Sequence, residues 1–223
     1  MIKQPIASKP ALIALAIMAW TGVLLQYVLS IDLALDNGKT VIDGTVVFLG
    51  YFTVLTNIFV ALTATMPILA GSRRLGQWFA SPMVVGSATT AILLVGIAYH
   101  FLLRQVWQPQ GLQLQADIVL HYVVPILTFA YWLVFPPQAK LTIFAPLLWC
   151  LYPLAYVVYA FVRGELLGIY PYYFIDVSSL GYGKAFLNAL GLLIAFVVLG
   201  FVVRALATLR KHVGATEKPV GDE

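Results

Sequence analysis

The chain has 223 residues, 61% of them hydrophobic and only 10% charged, with a formal net charge of +4 at pH 7. Soluble domains carry about 25% charged residues, so this composition excludes a water-exposed globular surface and specifies an integral membrane protein. The basic excess does not indicate nucleic acid, because Lys and Arg are spread between apolar runs as topology signals are. The single cysteine, Cys150, excludes an internal disulfide and a thiolate metal site.

Six apolar runs follow in order, each near the ~20 residues that span ~30 Å of hydrocarbon. The first, about 11–31, follows Lys3 and Lys9 and lacks a small-residue cleavage site, so it reads as a retained helix rather than a signal peptide. A polar loop from Asp32 to Asp43 leads to the second span, about 45–70, which contains YFTVLTN. After a short loop with Arg73 and Arg74, the third span, about 82–103, ends in AYHFLLR. Gln105 to Ala116 is a polar loop, and the fourth span, about 117–135, is DIVLHYVVPILTFAYWLVF. Pro136 and Pro137 end it, since proline removes a backbone donor and restricts the residue before it. The fifth span, about 141–162, carries Pro146 and Pro153, and an aromatic loop, GELLGIYPYYFIDVSSLGYG, leads to the sixth, about 185–206. Residues 1–210 thus form one six-helix domain, all-α, and 211–223 read as a disordered tail.

Six crossings put both termini on one side. That side holds Lys3, Lys9, Arg73, Arg74, Lys140, Arg204, Arg210, Lys211 and Lys218; the other holds Lys39, Arg104, Arg163 and Lys184. The excess of Lys and Arg marks the cytoplasmic face. The sequence therefore predicts cytoplasmic termini in a cell membrane, the bacterial inner membrane being the expected one.

With that orientation the polar residues gather in the outer half of the bilayer. Thr53 lies roughly 12 Å into the second span and His121 roughly 6 Å beyond Asp117, at 1.5 Å per residue. Ionisable groups in hydrocarbon are costly and are functional candidates by default. Thr53, Thr56 and Asn57 share one helical face, and Asp117 and His121 stand at i and i+4, so the carboxylate can reach the imidazole. A hydroxyl facing a base that a third group orients is the general pattern of an activated nucleophile. Thr and Asn in membrane helices also bond helix to helix, and spacing alone leaves that alternative open. Three histidines without a close ligand pair disfavour a metal site, and no cofactor is expected.

The succession YFTVLTN, AYHFLLR, DIVLHYVVPILTFAYWLVF and YPLAYVVYAFVRGELLGIYPYYFIDVSSLGYG resembles the bacterial six-transmembrane "Pr-six-Pr" group of membrane proteins. That group is distantly similar to the androgen-induced and androgen-dependent transmembrane hydrolases of animals, intramembrane threonine enzymes that cleave fatty acid esters of hydroxy fatty acids. The resemblance implies Thr53 as nucleophile, from the segment Tyr51-Phe52-Thr53-Val54-Leu55, and His121 as base, from His121-Tyr122-Val123-Val124-Pro125. Tyr170-Pro171 resembles a Tyr-Pro before the last helix. A second threonine, Thr56, an asparagine displaced by one residue and a shorter histidine-to-proline step depart from the animal pattern and leave the nucleophile open between Thr53 and Thr56.

Three functions are compatible with these residues. One is an intramembrane hydrolase of lipid acyl esters, with Asn57 and Tyr122 as candidate donors to the anionic intermediate, Asp117 as orienter, and Tyr170 to Tyr182, with Asp176, capping the cavity. The second is a small proton-linked transporter using His121 and Asp117, with Arg163 or Asp176 on the solute. The third is a scaffold without chemistry. The expected partners are membrane lipids, a lipid-like substrate and, for a transporter, a second copy of the chain.

Overall fold

A computed structural model describes residues 9–137 and 139–216, with side chains placed through Leu209. Lys3 and the part of the expected tail from 217 onward lie outside the described residues. The described residues contain no strand, and six helices are long and apolar enough to cross a bilayer: Lys9–Asp36, Phe52–Leu69, Pro82–Leu103, Gly111–Val134, Ala145–Leu167 and Val177–Leu209. Their exposed faces carry Ile17, Leu24, Ile126, Val158, Ile194 and many like them, the surface expected of helices bathed in hydrocarbon.

In chain order, α1 is Lys9–Asp36, α2 Val41–Leu49, α3 Phe52–Leu69, α4 Arg74–Phe79 and α5 Pro82–Ala98. Then come α6 Gly111–Ile118, α7 Val124–Val134, α8 Ala145–Trp149, α9 Leu151–Leu167 and α10 Val177–Thr216. Two π-helical turns, Tyr99–Leu103 and Val119–Val123, extend α5 and join α6 to α7. The helix starts follow familiar chemistry. Thr40 and Asp43 form a capping box for α2, and Ser81 caps α5 with Pro82 in its first turn. Gly168, at φ 66°, closes α9 in the left-handed conformation.

Four features differ from the sequence reading, and each bears on the site. The second span does not run unbroken from 45: α2 stops at Leu49 and α3 starts afresh at Phe52. The fourth span begins at Gly111, six residues before Asp117, so this carboxylate is buried within the helix rather than at its mouth. The fifth span extends past Val162 to Leu167, which places Arg163 inside it and buries its side chain. The aromatic loop between α9 and α10, expected on the outer side, is short, because α10 starts at Val177 and continues through Thr216, bent at Gly181.

Lipid tails are as apolar as leucine, so close packing and hydrogen bonds hold such helices together. α3 and α5 are the most enclosed spans. Trp20 Nε1 donates to Thr65 Oγ1 at 3.0 Å, tying α1 to α3, and Trp132 Nε1 donates to the Val203 carbonyl at 3.0 Å, tying α7 to α10. Thr89, Thr90 and Thr128 return their hydroxyls to carbonyls in their own helices. Small residues let helices approach: a β-carbon on Gly86 would lie 2.3 Å from the Trp149 ring.

Gly86→Val should therefore cost about 1–3 kcal/mol, the usual range for overpacking, and lower the unfolding midpoint in detergent micelles. Gly183→Ala, with nothing within 4 Å of the added carbon, is the control and should leave the midpoint in place. Equal midpoints for the two variants would contradict this packing.

Candidate active site

The site begins at the break between α2 and α3. A helix end leaves carbonyls without intrahelical donors; here Gly50 and Tyr51 N–H serve Val47 and Phe48, and one face of α9 serves Val46, Leu49 and Gly50. Arg163 Nη2 donates to the Val46 carbonyl at 3.1 Å, Tyr159 OH to Leu49 at 3.3 Å and Tyr156 OH to Gly50 at 3.0 Å. A cation at a helix C-terminus is favoured by the helix dipole. Gly50 makes room for it, because a β-carbon there would lie 2.9 Å from the guanidinium carbon. Arg163 also donates to the Ile169 carbonyl at 2.9 Å, so the same residue holds the outer loop.

Because α3 restarts at Phe52, Thr53 stands in its first turn, where backbone N–H groups have no partner in the helix. The Tyr51 cap offers no side-chain bond. Instead the Tyr172 hydroxyl, from the outer loop, accepts the Thr53 N–H at 3.2 Å and lies 3.4 Å from Thr53 Oγ1. Burial pushes the Tyr172 phenol up, while its bonds with Thr53 pull it down; burial prevails, so the group keeps its proton.

On the other side of Thr53 stands His121. Thr53 Oγ1 is 3.3 Å from His121 Nε2. His121 Nδ1 lies 3.0 Å from the Asp117 carbonyl and 3.3 Å from Asp117 Oδ1. Both neighbours of Nδ1 are acceptors, so Nδ1 carries the proton and Nε2 presents a lone pair to the threonine hydroxyl. The second Asp117 oxygen accepts the Tyr99 hydroxyl, and the Tyr99 ring stacks on the imidazole with centroids 4.0 Å apart. Tyr99 thus fixes the orienting carboxyl group and the ring it orients. Tyr99 and His121 each lie on a π-helical turn, which adds a residue to the winding and commonly marks functional positions. Pro125, with no N–H to give, follows the second turn, and Gly96 lets α5 lie against it: a β-carbon there would meet the His121 carbonyl at 3.0 Å.

The threonines and asparagine now separate. Thr53 is 8% exposed, whereas Thr56 and Asn57 are fully buried. Thr56 Oγ1 pairs with Tyr152 OH at 3.0 Å, away from the histidine. Asn57 donates to the Thr53 carbonyl at 2.8 Å and the Leu120 carbonyl at 3.2 Å, pinning α3 to the π-helical turn, and both of its amide donors are thereby occupied. Tyr122 turns to His100, 3.2 Å from its Nδ1. Tyr170 donates to Glu165 at 2.7 Å, its ring against Gly164. Asp176 caps the start of α10 through Ser178, and those bonds hold its carboxyl below the usual range. The hydrogen bonds of these last three side chains thus go to His100, Glu165 and Ser178 rather than to Thr53 or His121. The residues that spacing missed are Tyr99 and Tyr172, two of twelve tyrosines with nothing in the sequence to single them out.

Thr53, Asp117 and His121 line a cavity of about 350 Å³ between α1, α3, α6 and the outer loop. Gln26, Ser30 and Gln113 form a polar rim, Gln113 Nε2 donating to Gln26 Oε1 at 2.8 Å. Among the described residues no three of His, Cys, Asp and Glu come together as a metal site would need. No family model, curated protein or solved structure matches the chain.

Tyr99→Phe removes a donor from a carboxyl group that is 3% exposed. The expected cost is about 1–3 kcal/mol of stability, the penalty for an unsatisfied buried acceptor, read as a lower unfolding midpoint in micelles. Tyr122→Phe, whose partner sits at the exposed rim, should fall by less; the reverse order would contradict the assignment.

Proposed function

We propose that the protein is an intramembrane hydrolase of lipid acyl esters, with Thr53 as nucleophile and His121 as general base. The observation that carries this is the 3.3 Å approach of Thr53 Oγ1 to His121 Nε2 on the wall of a cavity among membrane spans. His121 Nε2 takes the hydroxyl proton as Oγ1 attacks the acyl carbonyl carbon. The tetrahedral intermediate collapses with cleavage of the carbon–oxygen bond to the alcohol, which leaves with the proton from Nε2. Water then attacks the acyl-threonine ester, giving its proton to His121; the fatty acid departs and Oγ1 recovers the proton.

An intermediate of this kind needs donors already aimed at its negative oxygen. The Tyr172 hydroxyl, 3.4 Å from Oγ1, supplies one, and the helix dipole at the start of α3 adds to the effect. Asn57 and Tyr122 are not assigned this role, since the Asn57 amide donors are taken by two carbonyls and the Tyr122 hydroxyl faces His100. The lysine and arginine distribution orients the cavity toward the non-cytoplasmic leaflet. A lipid substrate fits a site reached from the bilayer, and the resemblance of the Thr53 and His121 segments to threonine hydrolases supports the same reading.

The test is ester turnover by the purified protein, together with labelling by a fluorophosphonate. Thr53→Ala and His121→Ala should each lower kcat/KM by roughly 10²-fold or more, the scale of general-base catalysis, and Thr53→Ala should abolish labelling. Thr56→Ala should keep most of the activity. Turnover that survives both Thr53→Ala and His121→Ala overturns the proposal.

A further inference from the structure

A second, smaller cavity of about 70 Å³ lies on the far side of Thr53. Thr53, Tyr99, Leu103 and Tyr172 line both spaces, so the threonine hydroxyl and its two tyrosine neighbours form the partition between them. The two sides differ in chemistry. The larger holds Gln26, Ser30, Gln113, Asp117 and His121, and so offers hydrogen bonds to an oxygenated group. Apart from the partition and Tyr156, whose hydroxyl is given to the Gly50 carbonyl, the smaller is walled by apolar side chains of α3, α5, α9, the outer loop and α10, among them Phe52, Leu94, Ala98, Val157 and Leu193. Val157 and Leu193, on α9 and α10, are half-buried, so this chamber reaches the outer surface of the bundle within the membrane spans.

We infer that the smaller chamber is an acyl-binding subsite, and that an ester bound at Thr53 lays its hydrocarbon chain there while its alcohol portion occupies the larger cavity. This rests on the hydrolase reading of Thr53. The assignment follows from the side on which each kind of atom can be accommodated. A hydrocarbon chain leaves no buried donor or acceptor unsatisfied in the apolar chamber, whereas a hydroxylated or charged alcohol portion would find no partner among Leu94, Ala98, Val157 and Leu193. The leaving alcohol must also stand near His121 Nε2 to receive its proton, and His121 lines only the larger space. The 70 Å³ volume makes the chamber a selector, since it holds the first carbons of a chain and directs the remainder between α9 and α10. Ala98, at the level of the partition, and Val157, on the outward wall, set its width.

Two measurements test this. In the first, the ratio of kcat/KM for a p-nitrophenyl decanoate over p-nitrophenyl acetate is compared among wild type, Ala98→Leu and Val157→Phe. Each variant should lower that ratio by roughly tenfold or more, the discrimination that one or two methylenes of pocket space provide; an unchanged or raised ratio overturns the subsite. In the second, Thr53→Ala protein is photolabelled with a decanoyl ester bearing a diazirine at the end of its acyl chain, and the labelled peptides are sequenced. Label on 153–157 and 189–193 supports the subsite. Label on 26–33 or 106–113 assigns the chain to the larger cavity and overturns it, even where the catalytic variants behave as the hydrolase reading requires. Absence of wild-type ester turnover counts against the hydrolase alone, because the photolabelling arm needs no catalysis.

Discussion

The structure depends on one buried polar relay, in which the Tyr99 hydroxyl, the Asp117 carboxyl group, the His121 imidazole and the Thr53 hydroxyl meet in succession. In hydrocarbon an unpartnered donor or acceptor costs several kcal/mol, so such a chain persists only when almost every member is satisfied. Here both Asp117 oxygens accept and both ring nitrogens of His121 have a neighbour, and the last hydroxyl opens on a cavity. The elements around the relay can be understood as the means of holding four side chains from α3, α5 and the α6–α7 span at one depth.

Two devices do most of that positioning. The first is the interruption at Gly50 and Tyr51, which turns Thr53 from a mid-helix residue into a first-turn residue whose N–H is given to the Tyr172 hydroxyl. Such an interruption exposes carbonyls, and it is tolerated because Tyr156, Tyr159 and Arg163 bond them from a single face of α9. The second device is the clamp of Asn57 across two carbonyls, Thr53 on its own helix and Leu120 on the neighbouring π-helical turn. One amide thereby sets the separation between the hydroxyl's helix and the imidazole's.

Much of this was legible in the sequence, and the failures have physical causes. The six spans follow from apolar length, and the i, i+4 spacing of Asp117 and His121 identified a carboxylate within reach of a ring. That Thr53 rather than Thr56 meets the histidine was not readable, because both lie on the same helical face until the helix start is known. The restart at Phe52 is concealed because YFTV is as apolar as what precedes it; the available signal was Thr40 with Asp43, which begins a separate short helix and makes a single long span improbable. Gly111 opens the fourth helix within a polar stretch that reads as loop, so Asp117 seemed to sit at an entrance. Arg163 looked like a terminal residue because charge normally ends a span, whereas here backbone carbonyls stand in for water. Tyr99 and Tyr172 gave no warning, since tyrosines near an interface are expected as an aromatic belt.

The widened turn at Val119–Val123 has one more consequence. Each residue advances an α-helix by about 100° and 1.5 Å, and this turn contains one residue more than ordinary winding would. Loss of a single residue there would restore regular coiling and swing the rest of α7, with Trp132, away from the Val203 carbonyl it now meets. Chain length is therefore fixed to the residue within this turn, and the constraint acts on spacing rather than on the identity of any side chain.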